Sequence, residues 1–175
     1  MATHDVLHGI GVSAGTAAAP AAIVQPAPGV DTSEPGSVDA AADGARVREA
    51  LAAVSSRLSE RAAKAPEETK AILKATAQLA GDRGLAKAVD KKLKKGLGVT
   101  QAVHDAVEDY AQMLRSLGGY MAERATDLYD VRDRAICQLR GLPEPGVPAF
   151  EGSVILVARD LAPAETATLN PETVL

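Results

Sequence analysis

Val154-Ile155-Leu156-Val157-Ala158-Arg159-Asp160-Leu161-Ala162-Pro163-Ala164-Glu165-Thr166 reads as a strand, a turn and a helix start in one short stretch. The first four residues are an unbroken β-branched and aliphatic run between Gly152 and Pro163, the pattern of a short buried strand. Beyond them Asp160 suits an N-cap, Pro163 a first helical position, and Glu165 the positive end of a helix dipole. The spacing predicts a helix to Leu169-Asn170-Pro171 and the beginning of a second buried strand at Thr173. Other strand candidates lie at the opposite end of the chain, near residues 7–12 and 17–24, joined by a Ser13-Ala14-Gly15-Thr16 turn. Gly9, Gly11 and Gly15 do not make a dinucleotide fingerprint, because no βαβ unit follows them.

Between these pieces the period changes. Residues 26–37, rich in Pro, Gly, Asp and Ser, read as a linker. Val47, Leu51, Val54 and Leu58 then fall at helical spacing. Pro66 opens a second helix with Glu67 and Glu68 in its first turn and Ile72, Leu73, Thr76 and Leu79 following. Gly81 breaks it, and Asp82 caps a third segment carrying Leu85, Val89 and Leu93. Lys91, Lys92, Lys94 and Lys95 crowd the end of that segment, where cations stabilise a helix C-terminus and Gly96 and Gly98 end it. Thr100 is expected to cap a fourth helix bearing Val103, Val107, Tyr110, Met113, Leu114 and Leu117, which stops at Gly118-Gly119. The fifth, from Tyr120, places Met121, Ala125, Leu128, Val131, Ala135 and Leu139 on one stripe and ends at Gly141, with Pro143 beyond. Residues 142–152 form a second linker.

The expected fold class is mainly α: two antiparallel helical hairpins inserted into an incomplete α/β domain, the third segment continuing the second helix after its break. Residues 1–30 supply the first strands, 37–141 the helical domain, and 152–175 the returning strand and helix. The two β pieces share a sheet only if the chain comes back to where it left.

Composition agrees with helix packing. Of 175 residues 46% are hydrophobic, but aromatics are only 2% and Trp is absent, so the core is built from Ala, Val, Leu and Ile. A net charge of −4 argues against nonspecific nucleic-acid binding. The single cysteine, Cys137, forbids an intramolecular disulfide and reads as a small buried hydrophobe. No apolar run approaches the ~20 residues of a membrane span. Acidic Asp5 stands where a signal peptide has basic residues, giving a cytoplasmic reading with no membrane partner. His4 and His8 sit on a frayed end and a strand, without metal-ligand spacing, and His104 next to Asp105 is expected to point away from it. No metal site, Ser-His-Asp set or Walker loop can be assembled.

Taken in order, the Gly9-Ile10-Gly11-Val12-Ser13-Ala14-Gly15 opening, the helical insertion, Glu123-Arg124-Ala125-Thr126-Asp127 and the closing Leu161-Ala162-Pro163-Ala164-Glu165-Thr166 resemble the N-terminal region of enzyme I of the bacterial sugar phosphotransferase system. That family transfers phosphoryl from phosphoenolpyruvate to its own histidine and then to the phosphocarrier HPr. The resemblance implies an α/β phosphohistidine domain interrupted by a helical HPr-docking domain. It also implies a C-terminal half that binds phosphoenolpyruvate and magnesium and forms a homodimer. It stops before the Gly-rich loop that carries the active histidine, so these 175 residues are expected to be inactive by themselves and to hold no cofactor. Carried over by position, the docking residues are Glu67, Glu68, Ile72, Leu79, Asp82, Leu85, Met113 and Arg124, with Arg124 and Thr166 supporting the transferred group. Four residues make three departures from the family pattern: Arg83 and Gly84 replace further acids, Tyr129 replaces an arginine, and Ala162 replaces a hydroxyl residue. Open strand edges imply self-association. The alternative is a non-catalytic helical interaction or scaffold protein; a dikinase swivelling domain would not ordinarily carry the helical insertion.

Overall fold

Apolar residues that recur every three or four positions build the helical part, because each stripe finds another to cover it. The computed structural model describes residues 9–24, 26–148, 150–159, 161, 163–166 and 168–175. Helix α1 (Ala40–Lys64) starts where the Asp39 carboxylate accepts the backbone N–H groups of Ala41 and Ala42 at 3.1 and 3.0 Å. Its stripe of Val47, Leu51, Val54, Leu58 and Ala62 is nowhere more than 4% exposed. Pro66 turns the chain into α2 (Glu67–Ala80), which runs back along α1, and Ser55 Oγ donates to the Ala77 carbonyl at 2.8 Å between them. The buried small residues Ala77 and Ala80 leave room for close approach of the axes. After Gly81, Asp82 caps α3 (Arg83–Leu93) by accepting from the Leu85 N–H at 2.8 Å.

Helices α4 (Val99–Leu117) and α5 (Gly119–Arg140) form the second hairpin. Their joint is Gly118-Gly119, with φ of 70° and 53°, a region that only glycine enters without strain. Thr100 is not the cap of α4. The helix begins one residue earlier, after Gly98, and Thr100 is buried in its first turn. The cap comes from the linker: Glu34 Oε2 accepts both the backbone N–H and the hydroxyl of Thr100 at 2.7 Å. Thr100 Oγ1 in turn accepts from the Asp31 N–H at 3.2 Å. At the far end Gly141, at φ 64°, closes α5, and the Leu142 N–H reaches the Cys137 carbonyl at 2.9 Å. Cys137 is 2% exposed, and burial pushes its thiol pKa up, with Asp133 and Glu144 adding to the effect.

The chain does return to where it left. Strand β1 (Ala21–Ile23) pairs in parallel with β2 (Ile155–Val157), Ala21 opposite Ile155 and Ile23 opposite Val157. Val174 bridges Val154 in parallel, so the expected strand start near Thr173 is present as one further rung. The short helix α6 (Pro163–Thr166) lies between, with Pro163 first as expected, but it ends at Thr166, short of the expected Leu169-Asn170-Pro171. Asp160 and Ala162 fall outside the described residues. The strand expected over residues 7–12 is not found in its described part. Residues 9–12 pair with nothing regular, and Ile10 and Val12 are 92% and 95% exposed. Aliphatic content alone does not make a strand; a ladder partner does. The second expected strand shrinks to Ala21–Ile23, the part that faces β2.

Replacing Glu34 with Ala removes the side chain that caps the first turn of α4. A loss on the order of 1 kcal/mol is expected, read as a Tm about 2–4 °C lower in thermal unfolding. In a Thr100→Val background, where the backbone N–H of residue 100 still donates to Glu34, the same substitution should still lower stability, by the part that does not depend on the hydroxyl.

Candidate functional site

Helical spacing puts Glu68, Ile72, Leu79 and Asp82 on one stripe of α2 and its break. Glu68 is exposed, Ile72 and Leu79 are half-buried, and Asp82 closes the stripe about 20 Å from Glu68 at 1.5 Å per residue. Glu67 stands beside it, 87% exposed at the side chain and 3.0 Å from Lys70 Nζ. Asp82 has two tasks. It caps α3, and it accepts from the Tyr110 hydroxyl at 3.1 Å, which ties α4 to the break between α2 and α3. Burial raises the Tyr110 pKa, and the charge and hydrogen bond of Asp82 raise it further.

One turn on from Tyr110 is Met113, 44% exposed, and beyond it Leu117 at 64%. Across the Gly118-Gly119 joint, Tyr120 and Met121 continue the exposed apolar surface. Arg124 borders this surface. Its Nη1 donates to Asp127 Oδ2 at 2.7 Å, its Nη2 to the Tyr120 hydroxyl, and its guanidinium lies 4.6 Å from the Tyr120 ring centre. Tyr129, where the resemblance expects an arginine, sits between two: Arg115 at 5.3 Å and Arg132 at 4.8 Å from its ring.

Leu85 is a correction. It is 1% exposed and belongs to the core, so it cannot touch a partner. Its place in the Leu85, Val89, Leu93 stripe already required this, because one side chain cannot both fill the core and face outward. His104 is a second correction: its Nδ1 lies 3.3 Å from Asp105 Oδ1 despite their adjacency, both groups leaning over the same edge of α4. His4 and His8 lie outside the described residues.

Sequence reasoning missed the most buried charge. Arg134 on α5 is 1% exposed. Its Nε donates to both Asp130 oxygens at 2.9 Å, its Nη1 to Glu144, and its Nη2 lies 3.6 Å from Glu165 Oε1 on α6. Burial penalises the charge, but Asp130 and Glu144 more than offset it, so the guanidinium pKa is held above its usual value. The available signal was an Asp at i−4 from an Arg on the same side as Val131 and Ala135. Thr166, exposed on α6, follows Glu165 directly in the chain. A cavity of 260 Å³ opens at the seam between α5 and the β segments, lined in part by Thr126, Tyr129, Asp130, Arg159 and Glu165. Among the described residues no helix is long and apolar enough to cross a membrane.

Comparison with known proteins bears on this arrangement. The model of the family described as PEP-utilising enzyme, N-terminal, matches residues 8–124. The phosphoenolpyruvate-protein phosphotransferase of Streptomyces coelicolor is 42% identical over 137 residues, which cover 78% of this chain and 25% of that protein. The chain therefore spans about a quarter of that relative's length. A solution structure of enzyme I superposes with a TM-score of 0.70 at 29% identity, over 90% of this chain and 66% of the other. The N-terminal domain of the nitrogen enzyme I gives 0.61 at 26% identity, over 89% and 66%.

The Tyr110–Asp82 bond has a pH signature. Because the folded pKa of Tyr110 is raised, its contribution is complete below the unfolded value of about 10 and is lost as pH rises through the folded value. Chemical denaturation should show stability falling above about pH 10, and a smaller fall in Tyr110→Phe.

Proposed function

This chain belongs to the PEP-utilising enzyme, N-terminal, family, and from that premise we propose that it is the carrier-docking part of an enzyme I type phosphotransferase. The parent would move phosphoryl from phosphoenolpyruvate to its own histidine and on to a histidine of HPr. The observation that carries the reading is the acid-flanked apolar stripe: Glu68 and Asp82 bracket Ile72 and Leu79, with Met113 exposed one turn beyond the Tyr110 that bonds Asp82. A cationic partner with an apolar patch suits such a surface, the acids steering and the aliphatic groups holding. Leu85 contributes from beneath, by packing α3, rather than by contact.

Arg124 and Thr166 take the supporting roles in this reading. Arg124 supplies fixed positive charge beside the docking surface, and Thr166 supplies a hydroxyl at the α5 seam. Arg115 and Arg132 around Tyr129 offer a second source of positive charge where the family arginine is replaced. The helical docking domain corresponds to residues 37–141, flanked by α/β segments at 1–30 and 152–175. In this reading magnesium and phosphoenolpyruvate would be bound by another part of the parent enzyme. Among the described residues no three His, Cys, Asp or Glu groups are placed to hold a metal ion. Ile23 and Val157, register partners that are 58% and 47% exposed, would favour self-association at high concentration. An unrelated helical scaffold is disfavoured by the family match.

Titration of isotope-labelled HPr with this chain should shift resonances around the carrier's histidine, more weakly as salt is raised. Glu68→Lys combined with Asp82→Asn, which keeps the α3 cap, should weaken binding about three- to tenfold at low salt. Unchanged affinity would remove the stripe from the docking surface.

Incubated with phosphoenolpyruvate, magnesium and HPr, the 175-residue chain should take up no acid-labile, base-stable label. Label on His104 would overturn that expectation.

A further inference from the structure

We infer that Arg134 is a positioning residue: it clasps α6 to the helical part and so sets where Thr166 stands. Its guanidinium is shared among carboxylates from three places, Asp130 on its own helix, Glu144 in the connection after α5, and Glu165 on α6. Glu144 also lies 3.5 Å from Arg57 Nε on α1, and Arg61 Nη2 donates to Thr168 Oγ1 at 3.3 Å, just past α6. Two arginines thus meet three carboxylates in one cluster, and a third, Arg61, reaches the Thr168 hydroxyl beside it. Without Arg134, the remaining two arginines both lie on α1, and Asp130, Glu144 and Glu165 are left to repel one another. Lysine, a point charge without the fork, cannot hold all three directions at once.

The seat of Glu165 is shaped as well as charged. Glu165 is 7% exposed, and a Cβ added at Gly146, whose φ is 125°, would fall on its carboxylate. The connection therefore closes directly over the α6 carboxylate, and only glycine at 146 allows it. Arg134, Glu144 and Gly146 form a socket that receives the Glu165 side chain of α6. The importance of Thr166 rests on the function proposed above, whereas the clasp itself is measured without any phosphocarrier.

Hydrogen exchange on the full chain tests this. The N–H groups of Thr168 and Leu169, which donate to the carbonyls of Glu165 and Thr166, report on α6. In Glu165→Gln and in Gly146→Ala these two amides should exchange at least about tenfold faster, while amides of α1 to α5 stay within about twofold of the parent. Both variants leave the Arg134–Asp130 pair inside α5 intact, so neither depends on the helical part surviving loss of its buried charge. Arg134→Lys should release α6 in the same way, charge alone giving no rescue. Unchanged exchange at Thr168 and Leu169 would overturn the inference. So would an equal rise across every helix, which would mark a loss of general stability. Loss of HPr binding with the clasp intact would instead count against the docking reading alone.

Discussion

A guanidinium that is 99% out of water must have its charge answered on the spot, and that requirement organises the seam of this molecule. Arg134 cannot be satisfied by α5 alone. Asp130, one turn back, takes the Nε edge, and the other edges call in Glu144 from the connection after α5 and Glu165 from α6. The hydrophobic stripes hold the helices to each other without specifying where the β segments sit. A buried charge does specify it, because a carboxylate elsewhere leaves a cation uncompensated.

The parts of this fold that were legible in the sequence are those settled within a few residues. Val47, Leu51, Val54 and Leu58 are buried because their spacing alone puts them on one face. Asp82 caps α3, Gly118-Gly119 turns the second hairpin, and Gly141 ends α5, each by chemistry that neighbouring residues dictate. What was misread depends on distant partners. Thr100 looked like a cap because a hydroxyl ahead of an apolar stripe usually is one, but Glu34 reaches it from across the linker. Ile10 and Val12 have the residues of a strand but no ladder to join. In the candidate site, the stripe of α2 was visible from spacing, whereas the burial of Leu85 and the clustering of Glu144 and Glu165 around Arg134 were matters of three-dimensional packing.

The same residue type does opposite work on the two sides of the helical part. Glu67 and Glu68 stand in water, where their charge is screened within about 10 Å and acts mainly on approach. Asp130 and Glu165 are buried, where a carboxylate fixes geometry and recruits its counter-charge permanently. A net charge of −4 spread over the whole chain conceals this division. Aromatic residues are likewise rationed: the three tyrosines all lie on α4 and α5, each with its hydroxyl or ring against a charged group.

The parallel pairing of β1 with β2 has a consequence for how this architecture can change over evolution. Adjacent antiparallel strands can be joined by a two-residue turn, so anything inserted between them can later be deleted. Parallel neighbours cannot, because the first strand ends at the opposite edge of the sheet from where the second begins. The helices between residues 24 and 154 therefore double as the crossover itself. They are free to lengthen, since closing a larger loop costs little more, or to be exchanged for another unit. They cannot be pared away to nothing. A lineage that discarded the docking function proposed above would still have to keep some linking segment of a dozen or so residues there, a vestige preserved by geometry alone.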